Sequence, residues 1–262
     1  MKPIVRRGLG LLLIISCAAV WVLSSWMSRK ALSVVTCSGK EKLDVRILDS
    51  LERRFVARED VEKWLDTEYR AYAGLRLDTV DLARIESIVL GHSAVKSCEA
   101  WLTDDGSLHI QLTQRQPVVR FDDGSNAYYS DEDGFIFPLQ RRGDADVPIV
   151  DGRLPLTVPR GFKGSPANDA EREWLRSILG MISCMSATKM DGTFRRITVG
   201  EGGNLVLTPL EGKESFLFGR PVRVSEKFGL IEKYYGKILP LKGDGYYGTV
   251  DIRYKGQLVC RR

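Results

Sequence analysis

Residues 95–115, VKSCEAWLTDDGSLHIQLTQR, decide the fold of the first half of the chain. Apolar and polar residues alternate from Leu108 to Leu112, a period of two that is typical of a strand with one buried face. The Asp105-Gly106 step lies between two such runs, and Asp-Gly is a strong signal for a hairpin. We therefore predict two paired strands, Val95 to Leu102 and Leu108 to Arg115.

The segment upstream of this hairpin predicts one more strand and two helices. Apolar residues alternate again from Leu43 to Ile47, which indicates a strand. Apolar residues at helical spacing predict helices from Arg58 to Thr67 and from Thr79 to Leu90. Asp78, with Asp81 three residues on, forms an N-cap pair for the second helix, and Gly91 lies where its end is expected. The predicted order is β-α-α-β-β.

Pro117 interrupts this pattern, so the first domain is predicted over residues 43–116 and the second over 117–262. The second domain consists of short apolar runs separated by glycine-rich turns, which predicts a mostly antiparallel β domain. Two helices interrupt it, from about Asn168 to Met185 and from about Pro221 to Ile238. The predicted fold class of the chain is therefore α+β.

Ahead of both domains lies one apolar run, Gly8 to Met27, with no charged residue inside it. A helix needs about 20 apolar residues to cross about 30 Å of hydrocarbon, and this run has that length. Basic residues precede it, so the positive-inside rule places residues 1–7 in the cytoplasm. We predict a single transmembrane helix over 8–27, followed by a short stalk over 28–42.

Two other interpretations of this run remain open. A cleaved secretory signal has an apolar core of about 7–15 residues and a small-x-small cleavage site, whereas this core is longer and ends in Trp26-Met27-Ser28-Arg29-Lys30. Ile14-Ile15-Ser16-Cys17 is similar to the lipid-attachment box of bacterial lipoproteins, but more apolar sequence follows Cys17 instead of a polar tether. We therefore favour an uncleaved anchor.

Composition excludes several classes of protein. The net charge is +5, and the basic residues are scattered among nearly as many acidic ones, which argues against nucleic-acid binding. The five cysteines are dispersed and form no CxxC pair, so neither a disulfide-built fold nor a zinc site is indicated. The four outside the apolar run are either unpaired thiols, which we favour, or paired in an oxidising compartment: Cys37, Cys98, Cys184 and Cys260.

A search for catalytic or cofactor-binding residues finds none. His92 follows a helix and His109 lies on the outward face of a hairpin strand, so neither is obviously paired with a nucleophile. The segment from Asp131 to Gly134 lacks the ligand pattern of a calcium loop, and we interpret it as a solvated acidic turn. Gly200 to Gly203 opens a strand, so no helix N-terminus is available there for a phosphate. The sequence indicates a protein without enzymatic activity, cofactor or metal.

Several motifs, taken in order, resemble those of the FtsQ/DivIB family of bacterial cell-division proteins. Gly74 to Asp78 is similar to the family's G-x-x-L segment, and Leu108 to Val118 resembles L-x-I-x-V-x-E-R-x-P-V. Tyr129 to Gly134 is similar to the D-x-x-G turn, and Val250 to Tyr254, VDIRY, resembles the near-terminal V-D-L-R-Y. The last of these motifs is the most specific.

The chain also departs from the family's pattern. Gln114 stands where the family has Glu, Ser93 stands where it has Pro, and no tail follows the final predicted strand. The glutamine and the short basic terminus are similar to members of the Bacteroidetes type. The first two departures leave the predicted strand and the domain junction chemically plausible, and the third predicts that no tail-borne function is present.

The resemblance implies one membrane span, a POTRA domain of order β-α-α-β-β and a larger β domain. It implies a single-pass inner-membrane protein whose bulk is periplasmic and which is enriched at the division septum. Its implied partners are FtsB-like and FtsL-like division proteins, together with FtsK-like and FtsW/FtsI-like components. The implied function is to recruit and regulate septal peptidoglycan synthesis without catalysing it.

The last predicted strand, Gln257 to Arg262, is the candidate site for such binding. A strand at the edge of a sheet leaves backbone N–H and C=O groups unpaired, and a foreign strand can pair with them. Arg and Tyr are enriched among interface hot spots, so Arg253 and Tyr254 would add specificity. The candidate partner-binding residues are Arg253, Tyr254, Gly256, Gln257, Leu258, Val259 and Cys260. Two alternatives stay open: the final strand is interior and paired on both sides, or Arg253 and Tyr254 are an ordinary exposed arginine and a half-buried strand aromatic.

Two functions from other classes remain open. A POTRA-bearing periplasmic chaperone or export factor would be expected to carry further POTRA copies, and none is visible in the sequence. A membrane-anchored cell-wall enzyme would be expected to carry a catalytic His, Cys or pair of carboxylates, and no convincing set is found.

Overall fold

A computed structural model describes residues 16–25, 35–49 and 55–262 of the chain. Residues 16–25 are helical, whereas residues 8–15 and 26–27 of the predicted span, the tail over 1–7 and residues 28–34 of the stalk lie outside the described residues. Within the described part of the chain, no helix is both long enough and apolar enough to span a bilayer. The membrane span therefore stays a prediction.

The contacts of the chain divide it into two compact units, Met1–Gln114 and Arg115–Arg262. The first unit has the predicted order β-α-α-β-β, which is confirmed. Its main elements are β1 (Leu43–Ile47), α1 (Arg58–Glu68), α2 (Leu82–Leu90), β2 (Val95–Leu102) and β3 (Leu108–Gln114). β3 is the central strand, parallel to β1 and antiparallel to β2.

The alternation that predicted β3 corresponds to its burial. Leu108, Ile110 and Leu112 are fully buried, and both helices contribute apolar residues to the core of this unit. The N-cap of α2 is Asp81 and not the predicted Asp78, because the Asp81 carboxylate accepts a hydrogen bond from the backbone N–H of Arg84 at 2.9 Å. The cap shortens the helix relative to the sequence prediction, since a capping residue has non-helical backbone angles.

Gln114 has a specific structural role at the end of β3. It is 2% exposed, and its Oε1 accepts hydrogen bonds from the backbone N–H groups of Phe55 and Val56, both at 2.8 Å. Its Nε2 and its backbone N–H both donate to the carboxylate of Asp49. An amide satisfies both sides of this arrangement, because it can accept from the two backbone groups and donate to the carboxylate.

We predict that Gln114→Glu lowers the free energy of unfolding of the first unit by about 1–3 kcal/mol. The new carboxylate keeps the two accepted bonds but loses the bond donated to Asp49 and places like charges together. Urea unfolding of the 5-fluorotryptophan-labelled chain, followed through the ¹⁹F signals of Trp64 and Trp101, measures the loss. Adding Asp49→Asn to Gln114→Glu should restore much of the stability, and no rescue would contradict the charge argument.

The second unit is built on one nine-stranded sheet in the order β12-β11-β10-β9-β8-β7-β4-β5-β6. Five of its eight neighbouring pairs are antiparallel and three are parallel, so the predicted mostly antiparallel domain is a mixed sheet. The strands are β4 (Pro117–Asp122), β5 (Ala127–Asp131), β6 (Ile136–Pro138), β7 (Ile149–Gly152), β8 (Phe194–Val199), β9 (Leu205–Pro209), β10 (Ser215–Gly219), β11 (Thr249–Asp251) and β12 (Val259–Arg261).

Two of the parallel pairs explain the two helices. A parallel connection needs a crossover, and α3 (Asp169–Ser186) connects β7 to β8 while α4 (Val224–Lys233) lies between β10 and β11. Buried residues of both helices belong to one hydrophobic core that also includes Phe121, Ile197 and Phe216 of the sheet.

The second helix is less regular than its sequence spacing predicted. α4 ends at Lys233, a π-helical turn follows over Tyr234–Ile238, and a short α5 runs over Leu239–Lys242. The N–H of Leu239 donates to the carbonyl of Tyr234, five residues back. Pro240 explains the change, because proline lacks an N–H and its ring clashes with the carbonyl four residues earlier in a regular α-helix.

Candidate partner-binding edge

The sheet of the second unit ends at β12. This strand pairs with β11 in antiparallel register, with Val250 opposite Cys260 and Asp251 opposite Val259. Within the described ranges no further strand pairs with its other side. β12 has three residues and is shorter than the predicted strand over Gln257 to Arg262. Its outer side is thus the edge of the sheet, and an edge presents backbone groups to which another strand can pair.

A buried carboxylate lies beside this edge. Asp251, the last residue of β11, has no exposed surface. Its two oxygens accept hydrogen bonds from Nε and Nη2 of Arg253 at 2.9 and 2.7 Å. Such a two-fold charge-assisted contact fixes the guanidinium. The hydrogen bond from Arg253 lowers the pKa of Asp251, so the carboxylate stays ionised although it is buried.

The backbone of β10 packs closely against the side chain of Arg253. Gly219, at the end of β10, has a φ of 71°, and a Cβ at this position would lie 2.9 Å from Cγ of Arg253. Glycine is therefore required both by the backbone angle and by the space. The carbonyl of Arg253 accepts a hydrogen bond from Nη2 of Arg223 at 2.9 Å.

Tyr254 begins the turn that leads into β12, and it is 52% exposed. The N–H of Gln257 donates to the carbonyl of Tyr254 at 3.3 Å, and the N–H of Gly256 donates to the carboxylate of Glu226 at 2.7 Å. The guanidinium of Arg253 lies 5.9 Å from the centre of the Tyr254 ring. A large aromatic side chain is thus presented to solvent on a turn that hydrogen bonds tie to α4.

The structure brings the predicted site residues together in one hairpin. Arg253, Tyr254, Gly256 and Gln257 are exposed, whereas Leu258, Val259 and Cys260 are half-buried. Sequence reasoning missed that Asp251, Glu226 and Arg223 position this hairpin. The only signal for Asp251 was its place two residues before Arg253 in the VDIRY motif, and an acidic residue in a strand is not by itself diagnostic.

The two histidines have structural contacts. His92 stacks on Trp64 with ring centroids 3.5 Å apart. His109 places Nδ1 3.1 Å from Asp44 and Nε2 3.4 Å from Oγ1 of Thr103. The arrangement of His109 and Thr103 resembles a general base beside a hydroxyl nucleophile, and the sequence did not predict this pairing. The Thr103 hydroxyl, however, donates its hydrogen bond to Asp105 at 2.6 Å. Its proton is therefore directed to Asp105 and away from the imidazole.

Asp131 differs from the predicted solvated acidic turn, whereas its neighbours Glu132 and Asp133 are exposed as predicted. Asp131 is 2% exposed and accepts hydrogen bonds from Nη1 of Arg115 at 2.8 Å and from the N–H of Phe135 at 2.9 Å. The guanidinium of Arg115 lies 3.4 Å from the centre of the Phe135 ring. The carboxylate is buried because these partners replace water, so it organises the turn.

The remaining candidate chemistry is also structural. All five cysteines are free thiols, and for the four outside the apolar run unpaired thiols were favoured from the sequence. Burial raises the pKa of Cys98 to about 12, so this thiol is not activated as a nucleophile. In the part of the chain that the structure describes, no three His, Cys, Asp or Glu side chains are grouped as a metal ion requires.

Comparison with known proteins agrees with the division into two units. Residues 116–261 match the family model described as FtsQ/DivIB, C-terminal related, and residues 37–113 match a POTRA-like domain. None of the curated proteins matches the chain. The first match alone covers more than half of the chain. The chain therefore belongs to the FtsQ/DivIB family.

Proposed function

We propose that this protein is a non-enzymatic scaffold of the division machinery that captures a strand of an FtsB-like partner at β12. The family is one of cell-division proteins, and this membership supports a division-related role. The observation that carries the proposal is the position of β12 at the end of the sheet, after the turn that begins at the exposed Tyr254.

Backbone and side chains would contribute differently to such binding. An added strand gains register from hydrogen bonds to the outer side of β12. Tyr254 adds apolar contact area at a low cost in side-chain entropy, and aromatic anchors of this kind dominate interface energies. Arg253 is held by Asp251, so little further ordering is needed when a partner arrives.

We further propose that residues 8–27 anchor the chain in the inner membrane, with the domains in the periplasm and the protein enriched at the septum. An FtsB-like partner, itself paired with an FtsL-like protein, would then be confined to the same membrane. Confinement raises the effective concentration, so contacts of modest affinity suffice. In this proposal the POTRA domain docks FtsK-like components, and the assembly regulates FtsW/FtsI-like synthesis of septal peptidoglycan.

Capture of the partner from cross-linked membranes tests whether β12 is the partner-binding edge. Tyr254→Ala should reduce the amount of FtsB-like and FtsL-like protein that purifies with the tagged full chain by about tenfold or more, as expected for a hot-spot aromatic. Deletion of residues 256–262 should abolish capture because it removes β12.

The matched control for this experiment is Leu90→Ala, which also removes an exposed apolar side chain (44% exposed) but lies in the first unit. It should leave capture unchanged. Tyr254 is exposed, so its replacement keeps the fold and separates loss of binding from loss of structure. Undiminished capture by both Tyr254→Ala and the deletion would reject β12 as the binding edge.

A further inference from the structure

The residue that precedes α4 has a strained backbone. Arg223 has a φ of 54° and a ψ of 40°, which lie in the left-handed region. In the part of the chain that the structure describes, it is the one residue other than glycine with a positive φ. This conformation costs free energy, because the Cβ of the residue approaches the carbonyl oxygen that follows. Such strain persists only where the surrounding structure enforces it, and strained residues are concentrated at functional sites.

The start of α4 does not account for an arginine at this position. The residue before a helix usually has extended backbone angles and a short polar side chain that accepts a hydrogen bond from the helix. Arg223 has neither, since its side chain makes no capping hydrogen bond. Glycine or asparagine would adopt the left-handed conformation at a lower cost. The arginine is therefore explained by what its side chain contacts.

The Arg223 side chain contacts the turn that leads into β12. Its Nη2 donates a hydrogen bond to the carbonyl of Arg253 at 2.9 Å. Its Nη1 lies 3.5 Å from Oε1 of Glu226, and the same oxygen accepts a hydrogen bond from the backbone N–H of Gly256 at 2.7 Å. The first turn of α4 thus binds both ends of the turn, at Arg253 and at Gly256, and Tyr254 lies between them.

A buried lysine enforces the backbone conformation of Arg223. Lys227 is only 2% exposed, and its Nζ donates hydrogen bonds to the carbonyls of Phe218 and Arg220, both at 2.7 Å. Its backbone N–H donates to the carbonyl of Arg223 at 3.1 Å. Lys227 therefore fixes the loop before Arg223 and Arg223 itself to the same turn of α4. These contacts supply the constraint that a strained residue needs.

We propose that Arg223 is a positioning residue for partner binding, which fixes the turn from Arg253 to Gly256 so that Tyr254 is presented to the partner, at a cost to the stability of the free protein. This inference rests on the proposed function. A turn that is ordered before the partner arrives loses less conformational entropy on binding, which raises the affinity. Arg223 acts through the backbone of the turn, so it contributes without a contact of its own to the partner.

Arg223→Gly separates the contribution of this residue to binding from its contribution to the fold. Glycine adopts a φ of 54° without strain, so the variant should keep or raise the melting temperature of the full chain although the side chain is lost. It should nevertheless lower capture of the FtsB-like partner by the tagged full chain about fivefold or more, because the turn loses its anchor. A clear fall in melting temperature would show that Arg223 serves the fold and would overturn the inference, as would unchanged capture.

Arg160→Gly is the matched control. Arg160 is another exposed arginine of the second unit, and its Nη2 also contacts a distant carbonyl, that of Ser125 at 3.5 Å. Its replacement should leave capture unchanged. Arg223→Lys should retain more capture than Arg223→Gly, because lysine keeps a long side chain with a charged donor. Arg223→Asn tolerates the left-handed backbone but is too short to reach the turn, so it should resemble Arg223→Gly. Equal capture by all three variants would contradict a role of the side chain.

Hydrogen exchange of the full chain tests whether Arg223 orders the turn. The N–H of Gly256 should exchange about threefold faster or more in Arg223→Gly than in the native protein, because the turn opens more often when one of its anchors is lost. The N–H of Leu207, in the interior strand β9, should exchange at an unchanged rate. An unchanged rate at Gly256 would overturn the positioning role.

A double-mutant cycle with Tyr254→Ala separates this inference from the proposed function. If Arg223 acts through the turn that carries Tyr254, Arg223→Gly should lower capture much less when Tyr254→Ala is already present. Independent losses would overturn the inference. Reduced capture by Tyr254→Ala together with normal capture by Arg223→Gly would overturn only the role of Arg223. Normal capture by Tyr254→Ala and by the deletion of residues 256–262 would reject the proposed edge itself.

Discussion

Asp131→Ala should lower the free energy of unfolding of the second unit by about 3–5 kcal/mol. The carboxylate is 2% exposed and holds three donors: the guanidinium of Arg115 and the backbone N–H groups of Asp133 and Phe135. The side chain of Arg115 is only 15% exposed, so water cannot easily replace the lost partner. Removing one member of a buried ion pair leaves the other as an uncompensated charge.

Trp174 provides the measurement, because it is the only tryptophan of the second unit. Urea unfolding of the 5-fluorotryptophan-labelled full chain, followed through the Trp174 ¹⁹F signal, reports this unit alone. Asp131→Ala with Arg115→Met should be more stable than Asp131→Ala, because the double variant leaves no unpaired charge. A loss below 1 kcal/mol for Asp131→Ala would contradict the structural role of Asp131 and would support the predicted solvated turn.

The second large effect is an asymmetry within the Asp251–Arg253 pair. Arg253→Met should cost about 3 kcal/mol, because it leaves the fully buried Asp251 carboxylate without its counterion. Asp251→Asn should cost only about 1 kcal/mol. The reason is that the Arg253 side chain is 41% exposed, and water can solvate it when the carboxylate is gone.

The pH dependence of the free energy of unfolding tests this prediction separately. In the native protein the pKa of Asp251 is lowered, so its stabilising contribution is present above the ordinary value of 3.8 and is lost as the pH falls further. Without Arg253, burial should raise the pKa of the Asp251 carboxylate. Protonation of this carboxylate then removes the free-energy cost of an unpaired buried charge. The stability gap between Arg253→Met and the native protein, measured through Trp174, should therefore narrow from pH 7 to pH 5. A gap independent of pH would contradict the argument.

Much of the local structure follows from sequence periodicity, because strand and helix faces are set by neighbours in sequence. The hairpin of β2 and β3 and the two helices α1 and α2 depend on residues within a few positions of each other. Strand pairing, by contrast, does not follow from sequence periodicity. β4 pairs with β7 in parallel across two intervening strands, and nothing local in either strand specifies that partner. The mixed character of the large sheet was therefore not predictable from the pattern.

The candidate site was predictable in position but not in its supporting contacts. The VDIRY motif and the following short strand located the hairpin, whereas the burial of Asp251 depends on strands that are distant in sequence. The same holds for Asp131, whose burial depends on Arg115 and the turn that follows. Pro240, in contrast, is a local signal in the sequence for the π-helical turn.

The shortness and charge of β12 have a consequence for encounters between identical copies. A long, flat and apolar edge invites self-pairing and aggregation, whereas a short edge with basic residues resists both. β12 has three residues and is followed by the exposed Arg262, with Arg261 exposed within it. Two such edges would bring guanidinium groups together, and like charges on paired strands repel. We therefore expect the protein to stay unaggregated when crowded, which keeps its edge free for other molecules.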